Sequence, residues 1–191
     1  MVLQTETYNF DDEVQRLEDD ISELESLLSD MDGDHAARGE LAEIKNRLSV
    51  QLNGVRWAAE DAADADYCPA WDDPVDAVTL AGLTGGEVAK TNDTLPDGTG
   101  EGARRVNFVA AGSPHPGDED VTDRDRILVD SPAPYVDAKP SEQTEDDRVA
   151  VVSRLPDPFL RWAHARINEL TTVGGNGKLN FEALREEIEA S

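Results

Sequence analysis

Apolar residues recur in alternating steps of four and three between Phe10 and Met31, at Phe10, Val14, Leu17, Ile21, Leu24, Leu28 and Met31. This a/d spacing, held over about three heptads, places all seven on one seam of a helix. The positions between them are acidic or polar, among them Asp11, Asp12, Glu13, Glu18, Asp19, Asp20, Glu23 and Glu25. Such a helix cannot cover its seam alone, so the pattern predicts a partner helix. Asp32-Gly33-Asp34 follows as a turn, because glycine accepts a positive φ and aspartate bonds its own backbone. Leu41, Ile44, Leu48, Leu52 and Val55 then mark a second helix, which runs into an Ala-rich end at 57–65. Two amphipathic helices joined by a short polar turn predict an antiparallel hairpin. Pairing of the first helix across subunits is the alternative.

The rest of the chain is patterned less strongly. Residues 64–74 carry two prolines, Tyr67 and Trp71 among aspartates, and form a linker with aromatic anchors. Val75 to Leu80 alternates as a short strand. Thr84 followed three residues later by Glu87 has capping-box spacing and predicts a helix from Gly85 to about Leu95. RVNFVAA at 105–111 is rich in β-branched and aromatic residues and is a strand candidate, as are Ile127 to Val129 and Val149 to Val152. Between them, about 112–148, lies a long acidic loop or arm. Leu155-Pro156-Asp157-Pro158 predicts Asp157 as an N-cap and Pro158 as the first helical residue. Phe159, Leu160, Trp162, Ala163, Ile167, Leu170 and Val173 continue that helix to the glycine-rich stop at 174–177, and Phe181 to Ala190 forms a last one. The expected fold is mainly α with a small β portion (α+β): an N-terminal antiparallel coiled-coil hairpin at 1–66, then a small α+β domain at 67–191 with short strands in the middle and C-terminal helices.

Charge changes the setting. Asp and Glu number 42 against 17 Lys and Arg, giving −25 at pH 7 and a pI near 4.2. Of those 17, only Lys45, Lys90, Lys139 and Lys178 are lysines. Repulsion of this size opposes a compact state, and concentrated salt removes it by shortening the Debye length to roughly 3 Å at 1 M. An acidic, lysine-poor chain resembles the proteins of salt-in halophiles, particularly haloarchaea. No basic stripe is present to meet phosphates, so nucleic acid is not an expected partner. Cys68 is the lone cysteine, which excludes an internal disulfide. No apolar run reaches the ~18 residues of a membrane span, and residues 1–10 lack the pattern of a signal peptide.

Candidate chemistry is sparse. Asp30, Asp32 and Asp34 alternate like a calcium loop, but His35 and Leu41 occupy the places where an EF-hand needs glycine and an acid. Asp118-Glu119-Asp120 reflects composition. His35, His115 and His164 have no partners at metal spacing, and no nucleophile, phosphate-loop or dinucleotide signature is present. The expectation is a non-enzymatic protein without metal or cofactor. Its candidate partner-binding residues are the seam (Phe10, Val14, Leu17, Ile21, Leu24, Leu28, Met31) and the large aromatics Trp57, Trp71, Phe159 and Trp162.

VTLAGLTGGEVA at 78–89 resembles the hydroxyl-capped helix after a short strand in tail-assembly chaperones of tailed phages. LPDPFLRWAHARINELTTV at 155–173 is similar to the proline-started, Trp-containing late helix of the same proteins. The two segments cover about a sixth of the chain; the heptad hairpin and the acidic middle depart from that family. With the halophilic composition, the resemblance implies an assembly protein of a haloarchaeal tailed virus, binding viral proteins or itself in the host cytoplasm or the virion. A head–tail adaptor, neck or tail component of the particle is the alternative, and a dimeric cellular regulator the third.

The charge alone generates one prediction. Dialysis into dilute buffer should remove much of the helical circular-dichroism signal, and returning concentrated KCl should restore it; helicity indifferent to salt would contradict the halophilic assignment.

Overall fold

The computed structural model describes residues 4–33, 35–61, 76–93, 95–113, 145–172 and 181. In chain order these form β1 (Thr5–Asn9), α1 (Phe10–Asp30), α2 (Arg38–Arg56) with a π-helical turn at Trp57–Asp61, β2 (Ala77–Ala81), α3 (Gly85–Asp93), α4 (Glu101–Ala111), α5 (Glu145–Val152) and α6 (Asp157–Thr171). The architecture is mainly helical with one two-stranded antiparallel sheet. Trp71, Cys68, His115, the strand candidate at 127–129, most of the expected arm and the glycine-rich stop lie outside the described residues, as does the 66/67 domain boundary.

α1 starts sharply because Asn9 is both the last residue of β1 and the N-cap. Its side-chain oxygen accepts from Asp11 N at 3.0 Å and Asp12 N at 3.2 Å, which satisfies two of the helix's orphan donors. Asp11, Asp12 and Glu13 add negative charge at the positive end of the dipole. At the other end α1 has no basic residue of its own. Arg38, reaching over from α2, donates to the carbonyls of Leu28 and Met31 at 2.7 and 3.0 Å instead.

The hairpin is antiparallel, as its cross-links show. Arg38 meets the end of α1, Lys45 pairs with Glu25 at 2.8 Å, and Arg56 pairs with Glu18. The seam between the helices holds Leu17, Leu24 and Met31 from α1 with Leu41, Leu48, Leu52 and Val55 from α2, all buried. A third helix changes the geometry: α6 packs along α2 and reaches α1, so α1 faces two neighbours rather than one. Its buried arc therefore widens beyond a heptad stripe. Glu13 and Leu27 are buried, while Val14, Ile21 and Leu28 are half-buried.

α2 and α6 approach so closely that one position on α2 must lack a side chain. A Cβ at Gly54 would lie 2.3 Å from Phe159 N and 2.4 Å from the Pro158 carbonyl carbon. A Cβ at Gly82, after β2, would likewise run into the Leu170 carbonyl of α6. Buried side chains from both expected domains form one cluster, from Tyr8 and Phe10 to Trp162 and Ile167.

β1 has no counterpart in the predicted elements. It pairs with β2 from Thr5 opposite Ala81 to Asn9 opposite Ala77, with Thr7 and Thr79 hydroxyls 3.0 Å apart. One of the two strands is therefore N-terminal rather than central. The short TETYN run gives only a faint period-2 signal, and the strand is held by β2 with Tyr8 turned into the core.

Two strand candidates are helices. Residues 105–111 belong to α4, where Val106, Val109 and Ala110 share a face at i, i+3, i+4 and pack toward α6. Val149 to Val152 ends α5, whose Val149 and Val152 repeat the i, i+3 spacing. In both runs β propensity is overridden by packing of one helical face. Asp157 is likewise the first residue of α6 rather than its cap; Pro156 takes that place and Asp157 turns its carboxylate to Arg161 and Arg105. The capping box at the start of α3 is formed in both directions. Glu87 N donates to Thr84 Oγ1 at 3.3 Å, and Thr84 N donates to Glu87 Oε2 at 2.8 Å.

Two substitutions test this packing. Gly54→Ala should destabilise by about 1–3 kcal/mol in spite of alanine's better helix propensity, because the added methyl meets backbone. Leu17→Asp places an uncompensated carboxylate in the closed seam and should exceed the ~2–5 kcal/mol typical of Leu→Ala in a core. Urea unfolding at fixed high salt reads both, and an unchanged midpoint for either would show that its site is not closed.

Candidate functional site

Of the predicted partner-binding residues, Phe10, Leu17, Leu24, Met31, Phe159 and Trp162 are buried within the chain. Phe10, Phe159 and Trp162 form an aromatic cluster with centroids 5.3–6.2 Å apart, Phe10 edge-on to both others and Phe159 tilted on Trp162, extended by Tyr8 on Trp162 and Trp57 on Phe159. These side chains make the fold and offer nothing to a partner while it stands. Val14, Ile21, Leu28 and Trp57 keep part of their surface in solvent, and Trp71 lies outside the described residues.

The polar centre of the molecule sits beside that cluster. Glu13 on α1 accepts from Trp162 Nε1 at 2.8 Å and from Arg16 Nε at 3.1 Å, and Arg166 Nε lies 3.2 Å from its second oxygen. The Glu13 and Arg166 side chains are only 9% and 7% exposed, so neither charge would be tolerated there alone. Arg16 continues to Asp20 at 2.7 Å, Arg166 continues to Glu169, and the Arg166 guanidinium stands 5.9 Å from the Tyr8 ring centre.

Burial would raise the Glu13 carboxyl, but the Arg166 charge and the bonds from Arg16 and Trp162 outweigh it and hold the group below its ordinary 4.5. For Asp20 and Glu169 burial wins against the same two arginines, and both carboxyls are raised. Burial and the nearby Glu6 carboxylate push the Tyr8 phenol up. Asp157 is lowered by its bond from Arg161 and by the Arg105 charge.

This network opens into a cleft of about 400 Å³ lined by α1, α2, α4 and α6. Its walls carry Arg16, Arg47, Arg105, Arg161 and Arg166 against the carboxylates Asp20 and Glu169. A neighbouring cleft of about 430 Å³, lined by Arg104, Phe108, Asn92 and Glu101 among others, shares Arg105 and His164 with it. His164 lies against Phe108 with ring centres 4.8 Å apart. Burial, then the Arg105 charge, lower its pKa and favour the neutral ring.

Glu13 and Arg166 were not among the predicted site residues, although the sequence carries a signal for one of them. Arg166 falls on the apolar face of α6, in step with Phe159, Trp162, Ala163, Ile167 and Leu170. A cation in that stripe needs a buried acid opposite, which is Glu13. The clustering of five arginines has no such signal, since four helices contribute them.

Among the described residues no group of three or more His, Cys, Asp and Glu is placed to hold a metal ion. Among the same residues, no helix is long and apolar enough to cross a membrane. Comparison with protein-family models, curated proteins and solved structures gave no match to the chain.

The acid network fixes the sign of a pH dependence. Glu13 contributes stability fully above its ordinary 4.5, lost as pH falls through its lower folded value. Asp20 and Glu169 act oppositely: their penalty is complete above their raised folded values and fades as pH falls through them. In concentrated KCl, stability should therefore fall below about pH 4.5 in the native chain, and Glu13→Gln should flatten that limb. Glu13→Ala should cost about 3–5 kcal/mol at neutral pH by stranding Arg166. Urea midpoints across the pH range decide it; an unaltered acid limb in Glu13→Gln would remove Glu13 as its source.

Proposed function

We propose that the chain is a non-enzymatic assembly protein of a haloarchaeal tailed virus, acting as a tail-assembly chaperone in the high-salt cytoplasm of the host. Its partners are viral proteins, above all the long apolar tape-measure protein that must stay soluble while tail-tube subunits polymerise.

One observation carries this reading. The two chaperone-like segments, 78–89 and 155–173, lie far apart in sequence but meet in the fold. Leu83 N donates to Thr171 Oγ1 at 2.9 Å, and Gly82 packs directly on the Leu170 carbonyl. Thr171 in turn donates to Ile167 O at 2.7 Å, so one hydroxyl joins the end of α6 to the loop between β2 and α3. The resembling pieces thus belong to one packed unit. The net charge of −25 supports the high-salt setting. The charged groups of the junction pair with one another in ways that burial and ion pairing account for without a reaction.

Mass spectrometry tests the role. The chain should be absent from finished particles and should co-purify with a long tape-measure-like protein from infected cells in high salt. Many copies in the particle would make it a virion component, and recovery from uninfected cells alone would make it a cellular protein.

A further inference from the structure

We propose that the paired clefts along α6 form a groove that receives an acidic segment of a protein partner. The proposal rests on the protein-partner reading above and names the chemistry of the contact.

The distribution of charge points there. The chain has 42 acids and 17 basic residues, yet five arginines face two carboxylates in one cleft. Across both clefts, with Glu13 and Asp157 counted as further partners, six arginines meet the five carboxylates of Glu13, Asp20, Glu101, Asp157 and Glu169, where the whole chain averages more than two acids per base. Arg47 is exposed and enters no ion pair among the described residues, and the exposed Arg104 side chain likewise enters none there, donating to the Thr99 carbonyl at 3.1 Å. The two line different clefts, Arg47 on α2 and Arg104 on α4, and the clefts share Arg105 and His164.

Shape and solvent select the occupant. Two adjoining clefts of about 400 and 430 Å³ exceed what a single small oxyanion fills, and arginines in each of them suit carboxylates spaced along an extended chain. The guanidinium fork matches a carboxylate in a bidentate pair. At about 1 M salt, where the Debye length is ~3 Å, the chain's overall negative field no longer repels an acidic partner while direct contacts persist. The paired rings of His164 and Phe108 add an apolar contact to the lining, and the lowered His164 pKa favours its neutral form.

The test uses the full chain in about 1 M KCl, where screening leaves contact pairs in place, and a fluorescein-labelled peptide alternating Glu with Ala. Anisotropy should rise on binding, and the same peptide with Gln in place of Glu should not bind. Arg47→Gln and Arg104→Gln, both at exposed positions, should keep the circular-dichroism spectrum and each weaken binding roughly tenfold, as expected for a lost charged hydrogen bond. Equal binding of the Gln peptide, unchanged affinity in both variants, no binding at all, or displacement by inorganic phosphate at equimolar amounts would each overturn the proposal. Failure of the peptide with tape-measure co-purification intact removes the groove alone. Peptide binding by a chain found only in uninfected cells removes the viral role and leaves the groove.

Discussion

A buried carboxylate can stand only where other groups replace the water it has lost, and this fold is arranged around one. Glu13 lies on the first helix, and two of its partners, Trp162 and Arg166, lie on the last. Because the three groups must meet within hydrogen-bond distance, α6 has little freedom to slide or rotate against α1. The aromatic cluster beside them excludes water, which strengthens the pairing and raises the cost of leaving it incomplete. Register, burial and charge are therefore set together at one point. Gly54 holds the same helix from the other side by letting its backbone come directly onto α2.

The same junction explains why carboxylates a few residues apart titrate in opposite directions. Glu13 is approached by two guanidiniums and an indole N–H, whereas Asp20 and Glu169 each have one close arginine and feel the charge of Glu13. Their order is a property of the network rather than of any single residue. The arginines that complete it extend to the surface and leave Arg47 at the mouth of the cleft. A structural ion-pair network and an arginine-lined cleft are thus continuous in a molecule of net charge −25.

Local signals were the ones readable from sequence. The α1 seam, the turn into α2, the Thr84–Glu87 box and the start of α6 all depend on residues within a few positions of each other, and each is found close to where its pattern puts it. The runs at 105–111 and 149–152 were ambiguous because four to seven apolar residues fit a strand or one face of a helix equally well. What resolves them is contact with distant elements. β1 depends wholly on β2, some 72 positions away along the Thr7–Thr79 pair. Burial of Glu13 on the flank of α1 could not be read either, because the α6 residues that cover it lie more than a hundred positions downstream. The arginine cleft is assembled from four helices and leaves no trace in any one of them.

That distance has a consequence for synthesis. The bond from Trp162 to Glu13 spans 149 residues, so a chain emerging from the ribosome completes its hairpin long before α6 exists to close it. During that interval the α1 flank bearing Phe10 and Glu13 is uncovered, and long-range closure is the slow kind of folding step. The flank that α6 seals in the finished molecule is, in the nascent one, an adhesive surface.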